Sequence, residues 1–145
     1  MKFNAKEDLD SKELYERAAA EAKLIHKKPS TARGRSLEQI IETVLYGHAA
    51  ELYLIKHQSF TDDPHEYKDV IDTNGNQVEV KVTEGKYYVQ HVLARCNDAA
   101  KETWRKYPEI LYIFIGNKET YDYHLHGIYH WDGAQFCLQT QEDDV

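Results

Sequence analysis

The sequence predicts an α/β fold in which helices flank one mixed β-sheet, and three observations carry that expectation. Segments with helical and strand periodicity follow one another as helix, helix, strand, strand, helix and then two or three strands, the alternation of a layered α/β domain. The run 110–115, Ile-Leu-Tyr-Ile-Phe-Ile, is continuously apolar and ends at Gly116-Asn117, as suits a strand buried on both faces. Within 76–83, Val78, Val80 and Val82 alternate with Glu79 and Lys81, the pattern of a strand with one face in the core.

The elements follow in chain order. Residues 11–27 read as a helix that Asp10-Ser11 can cap and that Pro29 follows. Its apolar stripe of Leu14, Ala18, Ala22 and Ile25 is thin, which suits a peripheral position. Ser36 and Gln39 form a capping box. The helix they open keeps Leu37, Ile41, Val44, His48, Leu52 and Ile55 at helical spacing down to about His57. Residues 58–64 are a loop by composition. Strands at 66–72 and 76–83 are joined by a tight turn. A helix over about 88–106 gathers Val89, Val92, Leu93, Cys96, Ala99 and Ala100 on one side, and Pro108 stops it. After the strand at 110–115, residues 121–131 alternate loosely as another strand, and 134–139 add a short one.

A chain of 145 residues fits one domain with one core. No apolar run approaches the roughly 20 residues of a membrane span, and the charged N-terminal residues lack the apolar core of a signal peptide. A cytoplasmic protein without a membrane partner is expected. Cys96 and Cys137 have no metal-ligand spacing, so reduced thiols are expected. The net charge of −7 weighs against an extended phosphate-binding surface, which rests on Lys and Arg. Carboxylates that hold divalent cations are neutralised in use, however, and Glu142, Asp143 and Asp144 fall in a C-terminal tail.

The chemistry concentrates in 67–82. Strand side chains alternate between faces, so the valines at 78, 80 and 82 enter the core while Glu79 and Lys81 share the other face. The turn decides where Asp69 lies. A two-residue turn at Asn74-Gly75 would pair Val70 with Glu79 and turn Asp69 to the valine side. A three-residue loop, 73–75, closed by Asp72 and Asn76 with Gly75 at the left-handed bulge position, pairs Val70 with Val78 and Asp69 with Glu79. That register keeps every valine on one face and gathers Asp69, Glu79 and Lys81 on the other, so it is the one expected. Two opposed carboxylates are unfavourable without a cation, and two hard oxygen donors plus waters suit Mg²⁺. A bound ion can polarise a phosphoryl oxygen and acidify an attacking water, and Lys81 could orient that water or stabilise developing charge. A surface hairpin with a cross-strand charge pair is the plain alternative.

Glu51 is a second, independent feature. It lies on the apolar stripe of the second helix with Val44, His48 and Ile55. A carboxylate there is costly without a partner, and a metal held by Asp69 and Glu79 would be one. Pairing with a lysine, or a place at the stripe's edge, is the alternative. His48 reads as a satisfied core histidine.

These residues resemble the PD-(D/E)XK nuclease superfamily. Asp69…Glu79-Val80-Lys81 is similar to its D…ExK element, and Gly47-His48-Ala49-Ala50-Glu51 to the G-x-x-x-E motif that RecB-type nucleases and lambda exonuclease carry on the preceding helix. The resemblance covers about 37–116. It implies a restriction-endonuclease-like αββαβ core with an extra N-terminal helix. It also implies a Mg²⁺-dependent deoxyribonuclease, with Mn²⁺ able to substitute, and an endonuclease is the expected mode. Asp69, Glu79 and the Val80 carbonyl would bind metal, Glu51 would add a metal or water contact, and Lys81 would serve the nucleophile. Lys68 stands in place of the motif's proline, and Ala94 in place of the tyrosine of the RecB-type Q-x-x-x-Y motif that would begin at Gln90. On this reading the single domain comprises a peripheral helix (1–30), a catalytic core (36–117), C-terminal strands (118–139) and an acidic tail (140–145).

DNA is the expected partner, with Lys86, Gln90, Arg95, Lys101 and Arg105 as candidate substrate contacts; Lys101 and Arg105 lie one helical turn apart. So short a chain leaves little room for a specificity domain, so cutting both strands of a duplex would take a homodimer. A compact stand-alone nuclease would suit a phage or mobile element. His124 and His126 would share a strand face, but without a close third ligand a polar face is expected there. Exposed Tyr and His could equally stack on unpaired bases. The competing functional class is a noncatalytic adaptor that keeps this fold and binds a protein partner, which the acidic charge favours. A metal-binding domain built on the C-terminal histidines is the third.

Overall fold

The computed structural model describes residues 1–62, 70–102 and 106–142. It is a mixed α/β arrangement of one sheet with helices on its faces. In chain order the elements are β1 (Lys2–Asn4), α1 (Ser11–His26), α2 (Pro29–Ala32), α3 (Leu37–His57), β2 (Thr61–Asp62), β3 (Val70–Ile71), β4 (Gln77–Thr83), a 3₁₀ turn (Lys86–Tyr88), α4 (Val89–Ala100), β5 (Ile110–Gly116), β6 (Asp122–Trp131) and β7 (Phe136–Gln141).

The helix caps follow the sequence. The Asp10 side chain accepts the Glu13 N–H at 2.9 Å. Ser36 and Gln39 close the capping box in both directions, at 3.2 and 2.8 Å. Ala18 and Ala22 are fully buried, and such small side chains let α1 lie close along α3 in a shared apolar cluster with Ile40 and Ile41. Pro29 does more than follow α1: it opens α2 at the first helical position, where its fixed φ costs nothing. The third long helix is shorter than expected. α4 ends at Ala100, and the Glu102 N–H bonds back to the Ala99 carbonyl at 3.3 Å, a tightening typical of a helix end.

The sheet runs β1-β6-β5-β4-β3-β2, with β7 also on β6. β4 and β5 are parallel and the other pairs antiparallel. β5 is buried on both sides, as its unbroken apolar run requires. Phe114 joins Val78, Val80 and Leu125 in a core against α3, while Leu111 and Ile113 join Val89 and Cys96 in a core against α4. In β6 the register against β5 shifts by one residue at His126, between the Phe114–Leu125 and Ile113–Gly127 pairs. The bulge swaps the facing pattern: Tyr123 and Leu125 face the α3 core, whereas Tyr129 faces the α4 core. β7 extends through Thr140 and Gln141, which pair with Ile128 and Gly127. It takes in residues read from the sequence as tail, and Glu142 then meets the N-terminal ammonium at 2.8 Å.

Candidate active site

The hairpin adopts the register that the valine pattern demands. Val70 pairs with Val78 and Ile71 with Gln77. The Asp72 N–H donates to the Asn76 carbonyl at 2.9 Å, and the Gly75 N–H to the Asp72 carbonyl at 3.1 Å. Asp72 Oδ1 accepts the N–H groups of Asn74 and Asn76, both at 2.9 Å. Gly75 has φ +82°, a conformation glycine takes without strain. This is the three-residue loop, not the two-residue Asn-Gly turn. Asp69 and Arg105 lie outside the described residues.

Val78 and Val80 point into the α3 core. Glu79 and Lys81 therefore face the α4 side, in register with Leu111 and Ile113 of β5. Glu79 is 6% exposed, and Lys81 Nζ stands 3.3 Å from its Oε1. The two line a cavity of about 220 Å³ together with Arg95, Cys96, Ala99 and Tyr107. Burial pushes the Cys96 thiol up, and the nearby Lys81 charge pulls it the other way. A larger cavity of about 630 Å³ lies at the turn end of the hairpin, between Asn76 and Trp131, and shares Tyr107 as a wall. The smaller cavity is the chemical candidate because it holds the buried carboxylate beside a cation.

Glu51 is buried at 8% exposure, and its partner is a guanidinium. Arg17 Nη2 of α1 donates to Glu51 Oε1 at 3.3 Å, and its Nη1 lies 2.6 Å from Asp62 Oδ1 of β2. Arg17 Nε donates to His48 Nδ1 at 3.0 Å, and the other ring nitrogen, Nε2, meets Glu21. These contacts fit a histidine protonated on Nε2. Burial pushes the Glu51 carboxyl above its ordinary value, with His48 and Arg17 pulling against that rise. The His48 hydrogen bond holds Glu21 below the usual carboxylate range, and Lys81 adds to the effect. Lys81 is thus felt electrostatically on both sides: at Glu21 of α1 and at Cys96 of α4.

Lys86, Gln90, Arg95 and Lys101 are all exposed on α4 and the turn before it, and of these Arg95 reaches the cavity wall. Arg17, Glu21 and Asp62 were not singled out from the sequence. The available signal was the spacing of Arg17 and Glu21, four residues apart beside the buried stripe of α1. Among the described residues no group of three or more His, Cys, Asp or Glu side chains is arranged to hold a metal ion. His124 and His126 belong to no such group either, and the register shift of β6 falls at His126. Glu79 is a donor suited to a hard cation; Asp69, the second carboxylate expected from the sequence, lies outside the described residues. No protein-family model matches the sequence, and neither curated proteins nor solved structures gave a significant match to it.

Proposed function

We propose that this chain is a metal-dependent nuclease of the PD-(D/E)XK type that hydrolyses phosphodiester bonds of DNA, acting as an endonuclease. The observation that carries the reading is Glu79: a buried carboxylate, 3.3 Å from Lys81, facing a cavity from a strand whose opposite side is valine. The order α3-β3-β4-α4-β5, with β4 parallel to β5, supports a restriction-endonuclease-like core.

In this reading Asp69, Glu79 and the Val80 carbonyl would hold Mg²⁺, or Mn²⁺ in its place. The ion would neutralise charge on the scissile phosphate and supply an acidified water. Lys81 would orient the attacking water and meet charge developing on the phosphate. Glu51, held by Arg17, would act from the α3 side. Lys86, Gln90, Arg95, Lys101 and Arg105 would contact the nucleic acid.

The test is cleavage of supercoiled plasmid in Mg²⁺, Mn²⁺ or EDTA by wild type and Lys81→Ala, with both proteins checked for equal melting. Metal-dependent nicking or linearisation that Lys81→Ala removes supports the reading. Linearisation that rises with the square of protein concentration supports a homodimer. The satisfied state of Glu51 and the net charge of −7 favour the second reading, a noncatalytic adaptor for a protein partner. Failure to cut plasmid, single-stranded and branched DNA would select it.

A further inference from the structure

Tyr87, in the 3₁₀ turn that leads into α4, is 81% exposed. The other exposed large apolar side chains among the described residues, Tyr15, Leu24, Tyr88 and Leu138, range from 44 to 48%. An exposed aromatic ring has a flat face to offer for stacking. Tyr88 stands edge-on to it, with ring centroids 5.4 Å apart at 89°, and the His91 ring lies 6.4 Å away. On α4, His91, Arg95 and Ala99 are spaced by four and form one ridge, and the Tyr87 ring continues it through its neighbour His91. Arg95 and Ala99, at the far end of that ridge, line the cavity that holds Glu79 and Lys81. The ridge therefore runs from an exposed aromatic ring to the candidate catalytic centre. Tyr87 to Arg95 spans roughly 12 Å along the 3₁₀ turn and α4, comparable to about three stacked nucleotides.

The charge around this ridge decides between stacking and phosphate tracking. The net charge is −7, and Asp98 follows Arg95 within one turn. Glu84, just ahead of Tyr87, is taken up by Lys118 at 3.0 Å. Lys86 and Arg95 give a short cationic flank, too small to follow a long duplex backbone. Base stacking needs no extended basic surface.

We propose that Tyr87, supported by Tyr88 and His91, is a stacking platform for unpaired bases, so that the substrate class is nucleic acid with a single-stranded segment entering the Glu79–Lys81 cavity past Arg95. This builds on the nuclease reading and names its substrate. Unpaired bases stack on Tyr87, the backbone passes Arg95, and a phosphate a few nucleotides away reaches Lys81.

The test is fluorescence anisotropy with a fluorescein-labelled oligothymidylate and with a duplex of equal length, in EDTA and again with Ca²⁺. The oligothymidylate is expected to bind about tenfold more tightly than the duplex, Tyr87→Ala to weaken it about tenfold, and Tyr87→Phe to retain it within about twofold. Because the ring is exposed, the melting temperature of Tyr87→Ala should match wild type, which separates lost stacking from lost folding. No binding of oligothymidylate in either condition, equal binding of the duplex, or wild-type affinity in Tyr87→Ala would overturn the inference. Tyr87-dependent binding without cleavage would leave the platform standing and remove the nuclease reading. Cleavage dependent on Lys81 but indifferent to Tyr87 would do the reverse.

Discussion

Glu51 and Glu79 are both buried carboxylates beside a cation, at 8% and 6% exposure, but their surroundings differ. Glu51 meets Arg17, a side chain 19% exposed, which is itself shared with His48 and Asp62. Glu79 meets Lys81, 44% exposed, at the wall of a cavity. The first charge is compensated inside the fold by a branched network; the second is met, among the described residues, by the half-exposed Lys81 ammonium at a cavity open to solvent. Burial alone thus does not separate an acid held by fixed partners from one that faces a cavity. The number and depth of its fixed partners do.

The sharpest way to break this contrast is to remove the fixed partner of Glu51. Arg17→Met leaves a buried carboxylate without its guanidinium, a change that costs about 3 kcal/mol in comparable sites. Urea denaturation should show that loss, and Glu51→Gln in the same chain should recover most of it, because the stranded charge is then gone. A loss below about 1 kcal/mol, or no recovery in the double variant, would mean that the network does not hold Glu51.

The corresponding change on the other side should act on chemistry rather than stability. Lys81→Ala is expected to lower plasmid cleavage by about a hundredfold or more, while stability stays within about 1 kcal/mol, since a half-exposed pair is screened by water. A large loss of stability without any effect on cleavage would invert the comparison and make β4 the structural side.

How much of this contrast was legible in the sequence depends on range. The hairpin register was, because valine parity and the Asp72 and Gly75 turn chemistry point the same way. So was the burial of Glu51, from its place on the stripe of α3. Its partner was not: Arg17 comes from a helix with little apolar pattern, and periodicity does not say which helices pair. β1 and β2 were missed because two or three residues are too few to show alternation. The facing swap at His126 was hidden for the opposite reason, since an inserted bulge residue breaks the alternation on which strand reading rests. Gly116 read as a strand boundary, whereas the structure gives it a packing role: a Cβ there would lie 2.6 Å from the Tyr123 ring. That ring is held in turn by its hydroxyl, which donates to the Tyr46 carbonyl at 3.0 Å.

A finer test asks whether the open side meets phosphate. Arg95→Ala removes the cation at the cavity wall, and the salt dependence of oligothymidylate binding should become shallower by about 0.7 in log–log slope, one phosphate contact on a single strand. An unchanged slope would place the backbone elsewhere on the molecule and leave the cavity to the carboxylate and Lys81 alone.

The smallest expected effect sharpens the closed side. The His48 hydrogen bond, with burial opposing it and the charges of Arg17 and Lys81 assisting, holds Glu21 below the usual carboxylate range. A carboxyl whose pKa is lower folded than unfolded contributes stability above its unfolded value and loses that contribution as pH falls through the folded one. Glu21→Gln should therefore melt below wild type near neutral pH, and the gap should close in acid, where both states carry a protonated carboxyl. Glu21 is about half exposed, so screening keeps the difference below about 1 kcal/mol. Paired melts across the acid range would read it. A gap that persists at the acid end would mean that Glu21 contributes by packing against α3 rather than by its charge, and that the network around Glu51 ends at His48.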